Sequence, residues 1–136
     1  MTEAVVYDTG MLIGLANRSS AVASFHSGVL RSHTPIVPGP VVAQVWRRGA
    51  ATEFTLGMYL KDCEVVTDYD LDQYKRVGVI LGQAALPPKK RPDVVDALVV
   101  MTAARYGSAA ILTSDPEDLK AYAATLPKSR LLIRGI

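Results

Sequence analysis

Short apolar runs rich in β-branched residues recur along the chain and alternate with longer stretches of helical spacing, and this alternation restricts the fold more than any other feature. "AVVYD", Ile36 with Val37, "EVVT", "AAILTSD" and "RLLIRGI" read as strands. Thr9 and Gly10 turn the first of them into a short helical segment, "MLIGLANR". Further helices are expected through "AVASFHSGVLRSH", capped by Ser19 or Ser20, and from near Pro40. "ATEFTLGMYLKDC", "LDQYKRVGVILGQAA" capped by Asp68 or Asp70, "DVVDALVVMTAARYG" stopping at Gly107, and "PEDLKAYAATLP" opening on Pro116 complete the set. Four or five short buried strands, each followed by helix, imply an α/β fold in three layers, α/β/α, around a mostly parallel sheet. No repeat or linker divides residues 1–136, and "LPPKKRPD" is the one obvious loop.

Composition narrows the class. A chain of 136 residues, 49% hydrophobic and 21% charged, can bury a core without staples and has room for one domain. Its apolar runs are too short to span a bilayer, and Glu3 and Asp8 stand where a signal peptide wants Lys or Arg, so a soluble, cytoplasmic protein with no membrane partner is expected. A single cysteine, Cys63, excludes an internal disulfide and a thiolate metal cage. The net charge of +2 excludes a generally basic nucleic-acid coat, although "WRRG" and "PPKKRPD" are local basic clusters.

The acids are placed more tellingly than the bases. Asp8 ends the first strand and Asp115 ends "AAILTSD"; in a parallel sheet both then reach the rim where ligands gather. Asp93 and Asp96 are three apart at the start of a helix, so they share a face near the positive end of its dipole. Helix capping accounts for Asp8 or Asp115 taken singly, and a first-turn acid complementing the dipole for Asp93, but Asp96 lies inside "VVDALVV", an apolar setting that neither explains. Carboxylates meeting at one rim repel one another unless a cation neutralises them, and oxygen ligands without Cys or His suit Mg²⁺ or Mn²⁺. His26 and His33 lie far from all four acids in sequence and read as surface or satisfied histidines.

In order and spacing, "VVYDTGMLIGL", "VPGPVVAQVWR", "DVVDALVVMTAARYG" and "AAILTSDPEDL" resemble the PIN domain, most closely the VapC-type toxins of bacterial toxin-antitoxin pairs. The resemblance covers nearly the whole chain. It implies a PIN-like fold and an endoribonuclease that depends on Mg²⁺ or Mn²⁺, with Asp8, Asp96 and Asp115 as metal-binding catalytic acids and Asp93 as an additional acid one turn earlier. Thr9, Thr113 and Ser114 fall where such sites place hydroxyls that hold waters or orient ligands. A VapB-like antitoxin reaching into the acidic pocket and a homodimer are also implied, with the helices "AVASFHSGVL" and "FTLGMYL" as surfaces for either.

One motif departs from the family. Gln44 stands where a Glu is usual, keeping a carbonyl oxygen but losing the charge, which lowers metal affinity and removes a proton acceptor. Glu53, on the next helix, is an acid able to swing toward the site, although its spacing does not demand it. Arg47, Arg48, Lys89, Lys90 and Arg91 are the candidate RNA-binding rim, and Trp46 and Tyr7 are assigned to the core. The competing reading is a PIN-like module that binds RNA or protein without cutting. A phosphatase wants a second acid at position 10, which is Gly, and a receiver wants a central phosphoacceptor that "EVVTDYD" matches poorly.

Overall fold

The computed structural model describes residues 3–136. Among these, five strands form one sheet: β1 (Ala4–Tyr7), β2 (Ile36–Pro38), β3 (Glu64–Val66), β4 (Ser108–Thr113) and β5 (Arg130–Gly135). Their order is β3-β2-β1-β4-β5 and every neighbouring pair is parallel. The connecting helices are α1 (Thr9–Ala16), α2 (Ser20–Leu30), α3 (Gly39–Trp46), α4 (Ala50–Leu60), α5 (Leu71–Gln83), α6 (Val94–Ala104) and α7 (Pro116–Ala123).

From β1 the chain steps outward to β2 and β3 through α1 to α4, then returns through α5 and α6 to β4 on the other side of β1. Right-handed crossovers in opposite directions place the two helix groups on opposite faces. Accordingly α1 packs on α2, α3 and α4, while α6 packs on α5 and α7. The expected three layers are present, with the sheet wholly parallel. The direction of winding reverses between β1 and β4, and in sheets of this kind the crevice for a ligand lies beyond the carboxyl ends of the strands at such a reversal.

Both central strands are buried on two sides: Val5, Val6 and Tyr7 of β1, and Ala109 through Leu112 of β4. In α6 every residue from Ala97 to Ala103 is buried, because the helix is wedged between the sheet and its two neighbours. An apolar run without clear amphipathic spacing is what such a position requires. Local signals agree with the expected boundaries. Ser19 accepts a hydrogen bond from the Val22 amide to start α2, Asp70 and Gln73 form a reciprocal capping box on α5, and Gly107 supplies a positive φ (74°) after α6.

Three details differ from expectation. No turn separates β1 from α1: Asp8 is still extended (φ −87°, ψ 173°) and Thr9 already begins the helix. Strand β4 ends at Thr113, so Ser114 and Asp115 leave the sheet and Asp115 takes the position before the Pro116 helix. Trp46 is not in the core; it is 38% exposed at the end of α3, beside Gly57 of α4. Tyr7 is fully buried, as expected.

Candidate functional site

Asp8 is fixed by its backbone before its side chain does anything. Its amide donates to the Leu112 carbonyl of β4 (3.0 Å), and its carbonyl accepts from the Met11 amide (3.1 Å) in the first turn of α1. The residue is 4% exposed and occupies the cap position of α1, yet its carboxylate makes no capping bond. Instead Oδ2 accepts from the Thr113 hydroxyl at 2.7 Å, and Oδ1 is buried with no partner. A buried oxygen of this kind costs about 1–3 kcal/mol, more when charged. Burial accordingly pushes the Asp8 carboxyl up from its ordinary value; the Thr113 hydroxyl and the Thr9 amide oppose this, and the charges of Asp93 and Asp115 add to it.

The same Thr113 oxygen accepts from the Asp115 amide at 3.0 Å. One hydroxyl has one proton, so donation to Asp8 and acceptance from Asp115 fix its direction and tie the β4–α7 loop to Asp8. Gly10 allows the close approach. A Cβ there would overlap the Ser114 hydroxyl and come within 2.8 Å of the Ser114 nitrogen.

The second pair of acids opens α6. Asp93 does cap its helix, accepting from the Asp96 amide at 3.0 Å, and its own amide donates to the Tyr122 hydroxyl of α7 at 2.9 Å. Asp96, one turn on, is half-buried. Desolvation, followed by the charges of Asp8, Asp93, Asp118 and Asp115, pushes it up to about 7. The acids expected to converge therefore share one field. Asp118 joins them, although sequence reading missed it. It stands three residues after Asp115 in "TSDPEDL", so both lie on the same side of the first turn of α7, a spacing that was the available signal.

Asp115 is on the rim, half of its side chain exposed and, like Asp8, without a capping bond. The Lys90 ammonium lies 3.6 Å from Asp115 and 2.8 Å from Asp118. Of the predicted basic rim, Lys90 is thus the residue seen against the acids. Arg47 donates to the Gln44 carbonyl (3.1 Å), and Arg48, Lys89 and Arg91 are exposed. Gln44 is half-buried, and its Oε1 accepts from the Thr9 hydroxyl at 2.8 Å, so Thr9 serves position 44. Ser114 is exposed over Gly10. Glu53 is half-buried in the first turn of α4 and is absent from the charges acting on Asp8 or Asp96.

Residues outside the crevice explain themselves structurally. His26 is buried between the Tyr7 hydroxyl (2.7 Å) and Asp62 (3.2 Å), a satisfied core histidine. His33 is half-buried, its Nδ1 at 2.8 Å from the Ser32 hydroxyl and its Nε2 buried without a partner. Burial pushes the Cys63 thiol up to about 12, which makes it unreactive. No helix of the described residues is long and apolar enough to cross a membrane.

Among the described residues no group of three or more Asp, Glu, His or Cys side chains is placed to hold an ion, so the expected set of Asp8, Asp96 and Asp115 is not brought together as one ligand group. Mg²⁺ does not need such a group, since it keeps several waters and is commonly held by one or two carboxylates. An unpartnered buried oxygen on Asp8, with neighbouring carboxylate charges acting on both Asp8 and Asp96, fits such an ion in donor type and sign.

No family model and no curated protein matches the chain by sequence. Among solved structures it is similar to a chain of VapBC2 from Rickettsia felis bound to a DNA fragment from their promoter, at 14% identity. The match covers 98% of each chain with a TM-score of 0.68. This likeness shows a PIN-like fold over essentially the full length.

Proposed function

We propose that this chain is an endoribonuclease of the VapC type, dependent on Mg²⁺ or Mn²⁺, acting as a single unit over residues 1–136. The observation that carries the reading is the unpartnered, buried Oδ1 of Asp8 among acids, where burial and their charges push both Asp8 and Asp96 up from the usual carboxylate range. Such an arrangement costs folding free energy and has a use only when a cation completes it. Its place at the reversal point of the sheet, and the likeness to the VapBC2 chain, support the same conclusion.

Asp8 and Asp96 are the residues that would hold the ion, while Asp115, at the rim, is met by the Lys90 ammonium. A divalent cation bound there supplies Lewis acidity for activating water and positive charge for the phosphoryl oxygens. The chain's own work is placement. Thr113 fixes one Asp8 oxygen so that the other faces the crevice, Asp93 and Tyr122 hold the start of α6, and Arg47, Arg48, Lys89 and Arg91 offer cations to the phosphate backbone. A VapB-like antitoxin and a second copy of the chain belong to the same reading.

One observation favours the second reading, binding without cutting. Gln44 spends a lone pair on Thr9 and brings no charge, so it cannot act as a proton acceptor. Incubating the purified chain with total RNA in EDTA, Mg²⁺ or Mn²⁺, beside Asp96→Asn and Gln44→Glu, separates the two. Cleavage that needs metal and Asp96 establishes the nuclease. An inactive parent with an active Gln44→Glu variant shows a nuclease pocket switched off by one missing charge and turns the test to RNA and protein binding, and metal-independent cutting overturns both.

A further inference from the structure

Asp93 caps α6, and the other four acids of the crevice fall into two pairs by the cations that serve them. Asp115 and Asp118 already share an internal cation, the Lys90 ammonium at 3.6 and 2.8 Å. Among the described residues neither Asp8 nor Asp96 has an ion-pair partner, and one Asp8 oxygen is buried without a hydrogen bond. A second divalent ion in such a crevice needs either another anionic ligand on the α3 side or release of the α7 pair. On the α3 side stands Gln44, neutral and bonded to Thr9 through the oxygen that a metal would use.

We infer that this crevice binds a single divalent cation, at Asp8 and Asp96, and that the Lys90 ammonium on Asp115 and Asp118 takes the place of a second one. The inference rests on the nuclease reading above and specifies its site. Lys90 is then a positioning residue. It neutralises the outer carboxylates so that an incoming phosphate meets less repulsion, and it keeps a second hydrated ion from that position. Being attached to an exposed loop, it needs no entropy of capture from solution, whereas a second free ion would.

Titration of the purified chain with Mn²⁺, following free Mn²⁺ by electron paramagnetic resonance, tests this directly. The expected result is one ion per chain for the parent and for Lys90→Arg, and two for Lys90→Gln, in which the outer carboxylates are released. Lys90 is on the surface, so neither substitution threatens the fold. Asp8→Asn should abolish the parent's single site. Two ions in the parent, or a Lys90→Gln variant that still takes one at millimolar Mn²⁺, overturns the single-ion inference and leaves the nuclease reading intact. No binding by the parent overturns both.

Discussion

Asp96→Asn should make the protein more stable at pH 8 in the absence of divalent metal, because it removes a charge that the fold disfavours. Burial and four neighbouring carboxylates push Asp96 up to about 7, from 3.8 when unperturbed. Between those values the native state holds a proton that the unfolded chain has released, so its contribution to stability is complete below about pH 4 and is lost as pH rises through 7. Roughly three pH units at about 1.4 kcal/mol each set a ceiling of about 4 kcal/mol. Asp96 is only half-buried, so solvent screening reduces this to about 1–2 kcal/mol. For a chain of this size that corresponds to a rise of about 3–8 °C in melting temperature at pH 8. Differential scanning calorimetry in EDTA at pH 8 and at pH 4 reads both the gain and its pH dependence. The variant should melt above the parent at pH 8, and the two should converge at pH 4, where the parent carboxyl is neutral. A variant no more stable than the parent at pH 8, or a gain that is equal at both pH values, would refute the electrostatic account of the crevice.

Three further outcomes follow from the same geometry. Thr113→Val leaves the second Asp8 oxygen and the Asp115 amide without partners, so urea unfolding at pH 8 should show a loss of about 1–3 kcal/mol. Gly10→Ala forces α1 away from Ser114 and should cost about 1–3 kcal/mol in the same assay. Ser114→Gly should restore part of it, since the clash with the Ser114 nitrogen remains. Mn²⁺ should raise the parent's melting temperature far more at pH 8 than at pH 5.5, because Asp96 must lose its proton to serve as a ligand; an equal rise at both would remove Asp96 from the metal site.

The strands were legible because each is short and apolar, the central β1 and β4 being buried on both faces, and the helices because caps such as Ser19 and Asp70 stand where the spacing begins. Capping was also the competing explanation for Asp8 and Asp115, and dipole compensation for Asp93, and the structure divides them. Asp93 caps its helix, whereas Asp8 and Asp115 occupy cap positions with carboxylates turned to other partners. Sequence alone cannot make that distinction, since cap position and cap bond differ only in a side-chain rotation. Asp118 was missed because an acid in a first turn reads as dipole compensation, and its meeting with Lys90 depends on where the 84–93 loop folds back. Trp46 was misplaced because an aromatic at the end of an apolar helix looks like core, while the buried face of α3 is carried by Val41 and Val45.

On the proposed nuclease reading, what suits Asp8 to hold a cation is that its backbone cannot shift. A lone carboxylate at a strand end would ordinarily rotate to solvent, but this one is held in the β1–β4 ladder through its amide and in the first turn of α1 through its carbonyl. Moving the residue as a whole toward solvent would mean separating β1 from β4 at the centre of the sheet, with Tyr7 and Leu112 both buried there. The apolar core therefore holds the backbone of Asp8 in place, and the proposed cation would offset the cost of burying its carboxylate. A site held this way needs little reorganisation when the ion arrives, which is the condition under which a few carboxylates can bind a strongly hydrated metal tightly enough to use it.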